Sequence, residues 1–279
     1  SGIESYPVHY YNGNWAEQDA EDWWNAFCAS TRKLLARTDI QPERIRAVSF
    51  SGQMMGCLCV DREGKPLRPS IIWADQRAQQ EAEEIEKAIS QWEYYQITGH
   101  RNTASYGIQK LMWVKKHEPE IYRNTYKMLN AKDFMVQKLT GVFCTDYSDA
   151  NGCGFFDLKR LDWSEELLKL SGIDRSKLPD VKPSTFCAGK ITEEAARQTG
   201  LTKETAVIIG AGDGVATNVG AGSFSSGKTF CCMGTSAWIT TTSEQPLLDP
   251  KMRTVTWAHM VPGLYAPNGT MQYAGGSYS

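Results

Sequence analysis

Thr205-Ala206-Val207-Ile208-Ile209-Gly210-Ala211-Gly212-Asp213-Gly214, followed by Val215-Ala216-Thr217-Asn218-Val219-Gly220-Ala221-Gly222, is the stretch on which the reading of the chain turns. The apolar run Ala206–Ile209 is too short for a core helix and β-branched enough for a buried strand, and the glycines after it permit a tight turn or the close approach of a ligand. A helix of small residues follows, so Asp213 stands at a helix start. Two roles are open to it there. Its carboxylate can cap the helix, bonding free N–H groups and favoured by the helix dipole, or it can be presented to a ligand.

Working outward, the N-terminal side alternates strands and helices. A strand is expected over Ser5–Tyr11, a helix capped by Asp19 over 20–36, strands at Ile45–Phe50, Cys57–Val60 and Ser70–Trp73, and one helix from Gln76 to about Trp92. Amphipathic helices follow at 105–117 and 131–139, then the polar, turn-rich Thr145–Gly152 and further helices after Trp163 and Thr192. This alternation marks an α/β unit. From Gly227 the character changes to β: Thr229–Met233, Ala237–Thr242, Thr254–Met260, Leu264–Ala266 and Thr270–Tyr273, with a turn at Asn268-Gly269. The domain boundary falls near Gly222–Gly227.

The balance of 30 basic against 32 acidic side chains, without a run of five like charges, gives no electrostatic footprint for nucleic acid or membrane, and points to a neutral or small charged ligand. The eight cysteines form no C-x-x-C pair and several lie in apolar strand-like runs, so they read as buried hydrophobes in a reducing compartment, with the cytoplasm as the expected location. The four histidines share no ligand spacing, and no metal site is expected from them. The start at Ser1-Gly2 and the stop after Gly275-Gly276 give the expectation of a fragment.

Gly222-Ser223-Phe224-Ser225-Ser226-Gly227-Lys228-Thr229 matches the phosphate-binding loop G-x-x-x-x-G-K-[ST] in every letter. That loop works by leaving a strand and entering a helix whose N-terminus holds phosphate. Here the expected order is helix first and strand after, so the segment reads as a linker. An NTPase acting through Lys228 stays open as the lesser alternative.

Six short motifs carry a resemblance: Trp15-Ala16-Glu17-Gln18-Asp19 with Trp23-Trp24, Ser51-Gly52-Gln53-Met54-Met55-Gly56, Trp73-Ala74-Asp75-Gln76-Arg77, Asp146-Tyr147-Ser148-Asp149-Ala150, Gly210-Ala211-Gly212-Asp213 and Gly234-Thr235-Ser236. In order and rough spacing they resemble the FGGY carbohydrate kinases, in particular those of xylulokinase type. The resemblance implies an α/β, actin-like (ribonuclease-H-like) sugar kinase fold. Residues 1–224 would form a sugar-binding N-terminal domain lacking its first strand pair, and 225–279 the opening strands of an ATP-binding domain, a fragment expected to be inactive alone.

By the same resemblance Asp213 matches the catalytic base. Gln53, Met54, Met55, Trp73, Asp75, Arg77 and, loosely, Tyr106 match sugar-site positions, although Asp75 and Arg77 could equally form only a local ion pair. Gly234, Thr235 and Ser236 match a phosphate loop. ATP and Mg²⁺ are the implied cofactors, the ion bridging phosphates. The partners implied are a small sugar or polyol and a second copy of the chain in a homodimer.

Two positions depart from the pattern: Met55 stands where a pentulose kinase carries His, and Gly214 where it carries Asn. Both losses remove polar groups that would discriminate among sugar hydroxyls, so a sugar or polyol other than xylulose is expected. A non-catalytic sugar-binding relative is the second alternative.

Overall fold

The computed structural model describes residues 1–234, 237–271 and 274. At its centre the strand Ala206–Gly212 runs parallel to Ala47–Gly52 and antiparallel to Cys187–Lys190. The register shifts between Ile208 and Ala211, where Gly210 adopts a φ of +79°. A Cβ on Gly210 would fall 1.9 Å from the Phe50 carbonyl oxygen, so only glycine admits this bend. Past the bend Ala211 and Gly212 pair again, with Ser51 and Gly52, and the strand then passes directly into the helix Asp213–Gly220.

Two apolar clusters hold this α/β body. One packs Trp23 and Trp24 of the helix Ala20–Ala36 and Phe134 and Leu139 of the helix Ala131–Thr140 against Val207 and Ile209 of the central strand. The other gathers Tyr94, Ile108, Leu111, Trp113, Phe155 and Phe156.

The C-terminal strands form a separate four-stranded antiparallel sheet in the order Thr229–Met233, Ala237–Thr241, Tyr265–Met271, Val255–Ala258. Its last strand docks on the α/β body. Thr256 N–H donates to Gly99 O at 2.9 Å, and Ala258 N–H to Asn151 Oδ1 at 3.0 Å. Gly99 ends a helix at φ +75°, and a Cβ there would lie 2.6 Å from the Thr256 oxygen. The same Asn151 Oδ1 accepts from His100 Nε2 at 3.1 Å, which leaves His100 Nδ1 to accept the Tyr106 hydroxyl at 2.9 Å. Burial pushes His100 down to about 4, keeping it neutral, and its ring packs edge-on to Trp257 at 4.3 Å.

Several sequence expectations change. The long helix expected over 76–92 is two helices, Gln79–Ala88 and Gln91–Thr98, because Ser90 and Glu93 form a capping box that starts the second. The helix expected over 105–117 does end at His117, and Pro119 takes the first position of a further short helix, Pro119–Asn124, that the sequence reading did not include. The polar stretch 145–152 contains the helix Tyr147–Gly152, capped by Asp146. Asn268-Gly269 lies inside the strand Tyr265–Met271 and makes no turn. Trp15–Gln18 is a strand, pairing with His9–Tyr11 and Ser70–Ile71.

Candidate active site

Gly212 is the N-cap of the helix and Asp213 its first residue. The capping role is therefore reduced to one short contact, Asp213 Oδ1 accepting the Gly214 N–H at 2.8 Å, and the carboxylate remains exposed. Partial loss of solvent in the concavity raises the Asp213 pKa above its ordinary value, and the backbone N–H of Gly214 opposes the rise. The carboxylate opens onto a cavity of about 200 Å³. Met54, Met55, Val215 and Asn218 line it from the α/β body, and Trp238, Thr240, Val255, Trp257, Asn268 and Thr270 from the C-terminal sheet.

Met54 reaches this wall through glycines. A Cβ on Gly212 would lie 2.4 Å from Met54 Sδ, and one on Gly152 3.2 Å from Met54 Cε, so the thioether occupies space that two missing side chains leave. Met55 takes a left-handed backbone at φ +62°, sparsely populated for any residue with a Cβ. Its carbonyl accepts Lys110 Nζ at 2.8 Å, and the same ammonium reaches Ile72 O at 2.8 Å. Lys110 is fully buried, and burial pushes it down to about 7, with Asp75 opposing.

Replacing Lys110 with Met leaves the Met55 carbonyl without its donor, while Ile72 O keeps the Asp75 N–H at 3.0 Å, and the expected cost is about 2 kcal/mol in urea unfolding. The pH dependence has a definite sign. Between about pH 7 and the unfolded lysine value near 10.4, the unfolded chain holds a proton that the folded chain releases, so wild-type stability rises with pH across that window. In Lys110→Met that component of the rise is expected to vanish.

The other expected sugar-site residues lie elsewhere. Asp75 and Arg77 form a buried pair, Nη2 to Oδ2 at 2.7 Å, while Arg77 also meets Glu17 at 2.8 Å and Asp75 Oδ2 accepts the Ala16 N–H at 2.6 Å. Arg77 stacks 3.9 Å over the Trp15 ring. These bonds tie the Trp15–Gln18 strand to the segment after Ile71, the local ion pair that the sequence left open, and neither residue is among those lining the cavity. Trp73 is 53% exposed and outside the cavity lining. Gln53 donates to Gln18 Oε1 at 2.7 Å and faces a different concavity, with Gly52 and Lys132. Tyr106 is buried on His100.

Gly234 follows the strand Thr229–Met233, which pairs with Ala237–Thr241 in the register Met233 to Ala237. Thr235 and Ser236 lie outside the described residues. The phosphate-loop match 222–229 runs into a strand, and several of its N–H groups are bonded within the protein: Ser223 to Asn218 O, Gly227 to Thr242 O and Lys228 to Ser225 O. They are not gathered around a phosphate.

Sequence reasoning missed Trp238, Trp257 and Asn218, which line the cavity, and the network beneath Asp213. Gly212 N–H donates to Ser148 Oγ at 2.9 Å, and Ser148 Oγ in turn to Asp146 Oδ2 at 2.6 Å. Asp146 Oδ1 meets the buried Lys132 ammonium at 2.9 Å, which also contacts Asp133 at 2.6 Å and Asp149 at 3.1 Å. The signal for this network was the Asp146–Ala150 motif, whose role only the tertiary contact reveals.

Residues 2–220 match the family model of the N-terminal domain of the FGGY carbohydrate kinases. The xylulose kinase of Bacillus subtilis is 32% identical over 88% of this chain and 49% of its own length. The gluconokinase of the same organism is 33% identical over 95% of this chain and 52% of its own. The crystal structure of xylulose kinase from Rhodospirillum rubrum superposes with a TM-score of 0.91 at 30% identity, over 97% of this chain and 55% of that one. The chain thus spans about half the length of the relatives it matches, and its fold is the actin-like architecture of sugar kinases. With more than three quarters of its residues inside the family model, the chain belongs to the FGGY family of carbohydrate kinases.

Proposed function

We propose that the protein containing this chain transfers the γ-phosphoryl group of ATP to a hydroxyl of a monosaccharide or polyol. The observation that carries this reading is the Asp213 carboxylate, exposed at a helix start and facing a small cavity closed on its other side by the C-terminal sheet. Phosphoryl transfer asks a protein mainly for positioning and charge stabilisation, so one carboxylate that orients the attacking hydroxyl and accepts its proton supplies the base.

In this reading residues 1–224 form the sugar-binding domain and 225–279 open the nucleotide-binding domain. The Met54–Met55 turn shapes the sugar site, and Gly234, Thr235 and Ser236 bind the phosphates of ATP. Mg²⁺ supplies charge neutralisation at the phosphates when bound. Asp213 is the one anionic donor among the described residues lining the cavity, beside neutral Thr240 and Asn268 oxygens, a set that suits an ion keeping most of its water and phosphate ligands. The reading places the protein in the cytoplasm and leaves assembly as a homodimer to sedimentation.

Met55 and Gly214, at positions where pentulose kinases carry polar side chains, favour a substrate other than xylulose. The test is ADP release by the full-length protein against a panel of ketoses, aldoses, polyols and sugar acids that includes xylulose and gluconate. Turnover of a polyol or sugar other than xylulose is expected. Xylulose as the best substrate would remove the specificity claim, and no turnover with any member would remove the activity.

A further inference from the structure

Asn218 is 1% exposed, and neither its amide nitrogen nor its amide oxygen has a hydrogen-bond partner among the described residues. It lines the cavity that Asp213 heads, from the same helix. A buried amide left unpaired is costly, and folded proteins pair nearly all such groups. The neighbouring polar groups show the contrast. Thr240 Oγ1 accepts Asn268 Nδ2 at 2.7 Å, and Asn268 Oδ1 accepts the Thr270 hydroxyl at 2.8 Å.

We infer that Asn218 is a specificity-determining residue that binds a hydroxyl of a neutral polyol seated against Asp213. The inference rests on the phosphotransfer reading above and narrows its substrate class. An amide offers both a donor and an acceptor, the complement of a hydroxyl, which also does both. Among the described residues lining the cavity the one charged side chain is Asp213 itself, so a sugar acid would bring a second negative charge beside the first with no cation to meet it. A volume of about 200 Å³ is below the roughly 300–1,000 Å³ of pockets for drug-sized ligands, which suits a small polyol and not a nucleotide.

The experiment compares full-length wild type with Asn218→Ala and the bulkier, non-hydrogen-bonding Asn218→Leu. For the best neutral substrate, KM is expected to rise about tenfold to a hundredfold in Asn218→Ala, with kcat and the KM for ATP nearly unchanged. One monodeoxy analogue is expected to bind poorly to wild type and to suffer no further loss in Asn218→Ala, which identifies the hydroxyl. Melting temperature is expected to hold or rise in both variants, since an unpaired buried amide is being removed. A lower melting temperature with unchanged KM would make Asn218 structural and overturn the inference. So would a rise in the KM for ATP in place of the sugar, or a wild type that prefers a sugar acid. Calorimetric binding separates this inference from the activity it rests on. A protein that binds a polyol through Asn218 yet phosphorylates none keeps the inference and loses the proposed activity, whereas one that binds no polyol in the panel loses both.

Discussion

Asp213→Asn is expected to lower kcat of the full-length protein by about a hundredfold to ten-thousandfold, the range general-base removal commonly costs, while KM for the sugar moves by no more than a few fold. The substitution is nearly isosteric, and the amide oxygen can still accept the Gly214 N–H that Asp213 Oδ1 accepts at 2.8 Å, so folding and the helix start should be retained. What disappears is the group that takes the proton of the attacking hydroxyl. The pH profile provides a second readout. The base must be ionised to act, and partial burial raises its pKa above the ordinary carboxylate value, so wild-type kcat/KM should climb with pH along a limb displaced upward from about 3.9. In Asp213→Asn that limb should be missing. Retained turnover in the variant would strip Asp213 of the role. Loss of turnover with intact sugar affinity would separate a kinase from a sugar-binding relative that never turned over.

The strand before Asp213 and the helix after it were legible because each has a local cause, β-branched residues for the one and small residues for the other, whereas the glycine turn expected between them is instead a bend at Gly210 within a strand that runs on to Gly212. Helix 20–36 was legible to the residue for the same reason, with Asp19 accepting the Glu21 N–H as its cap. The lining of the cavity was less legible. Asp75 and Arg77 have the polar character of ligand residues, but burial turned that character inward, onto Glu17 and the Ala16 backbone. Trp238 and Trp257 come to the cavity only because the C-terminal sheet docks on Gly99 and Asn151, a contact between segments more than a hundred residues apart that no local pattern encodes. Asn218 carried no signal in the sequence, because what distinguishes it is the absence of a partner in three dimensions.

Lys132→Met carries the other large effect, on folding. Its ammonium is the shared partner of Asp133, Asp146 and Asp149, and all four side chains are completely buried. Burial alone would lower the Lys132 pKa, but the carboxylates, Asp133 foremost, raise it well above its ordinary value. Burial likewise raises the pKa of Asp149 and of Asp133 despite the lysine. Removing the cation leaves the carboxylates uncompensated, and breaking a buried pair in this way costs about 3–5 kcal/mol. The sign of its pH dependence follows from linkage. An acid whose folded pKa lies above its unfolded value takes up a proton on folding, so folding loses stability as pH rises through the unfolded carboxylate value near 3.9 and onward to the folded one. Without Lys132 those folded values climb further. The stability deficit of Lys132→Met against wild type should therefore be smallest near pH 4 and widen toward neutrality, as read by urea midpoints at each pH. The damage should also reach Asp213. A Cβ on Gly52 would already lie 3.0 Å from Lys132 Cβ, and Asp146, held by the ammonium, anchors Ser148 and through it the Gly212 N–H that precedes the base. Among molecules that do fold, kcat should fall while KM for ATP stays near wild type; a deficit independent of pH would show that the carboxylates do not need the cation.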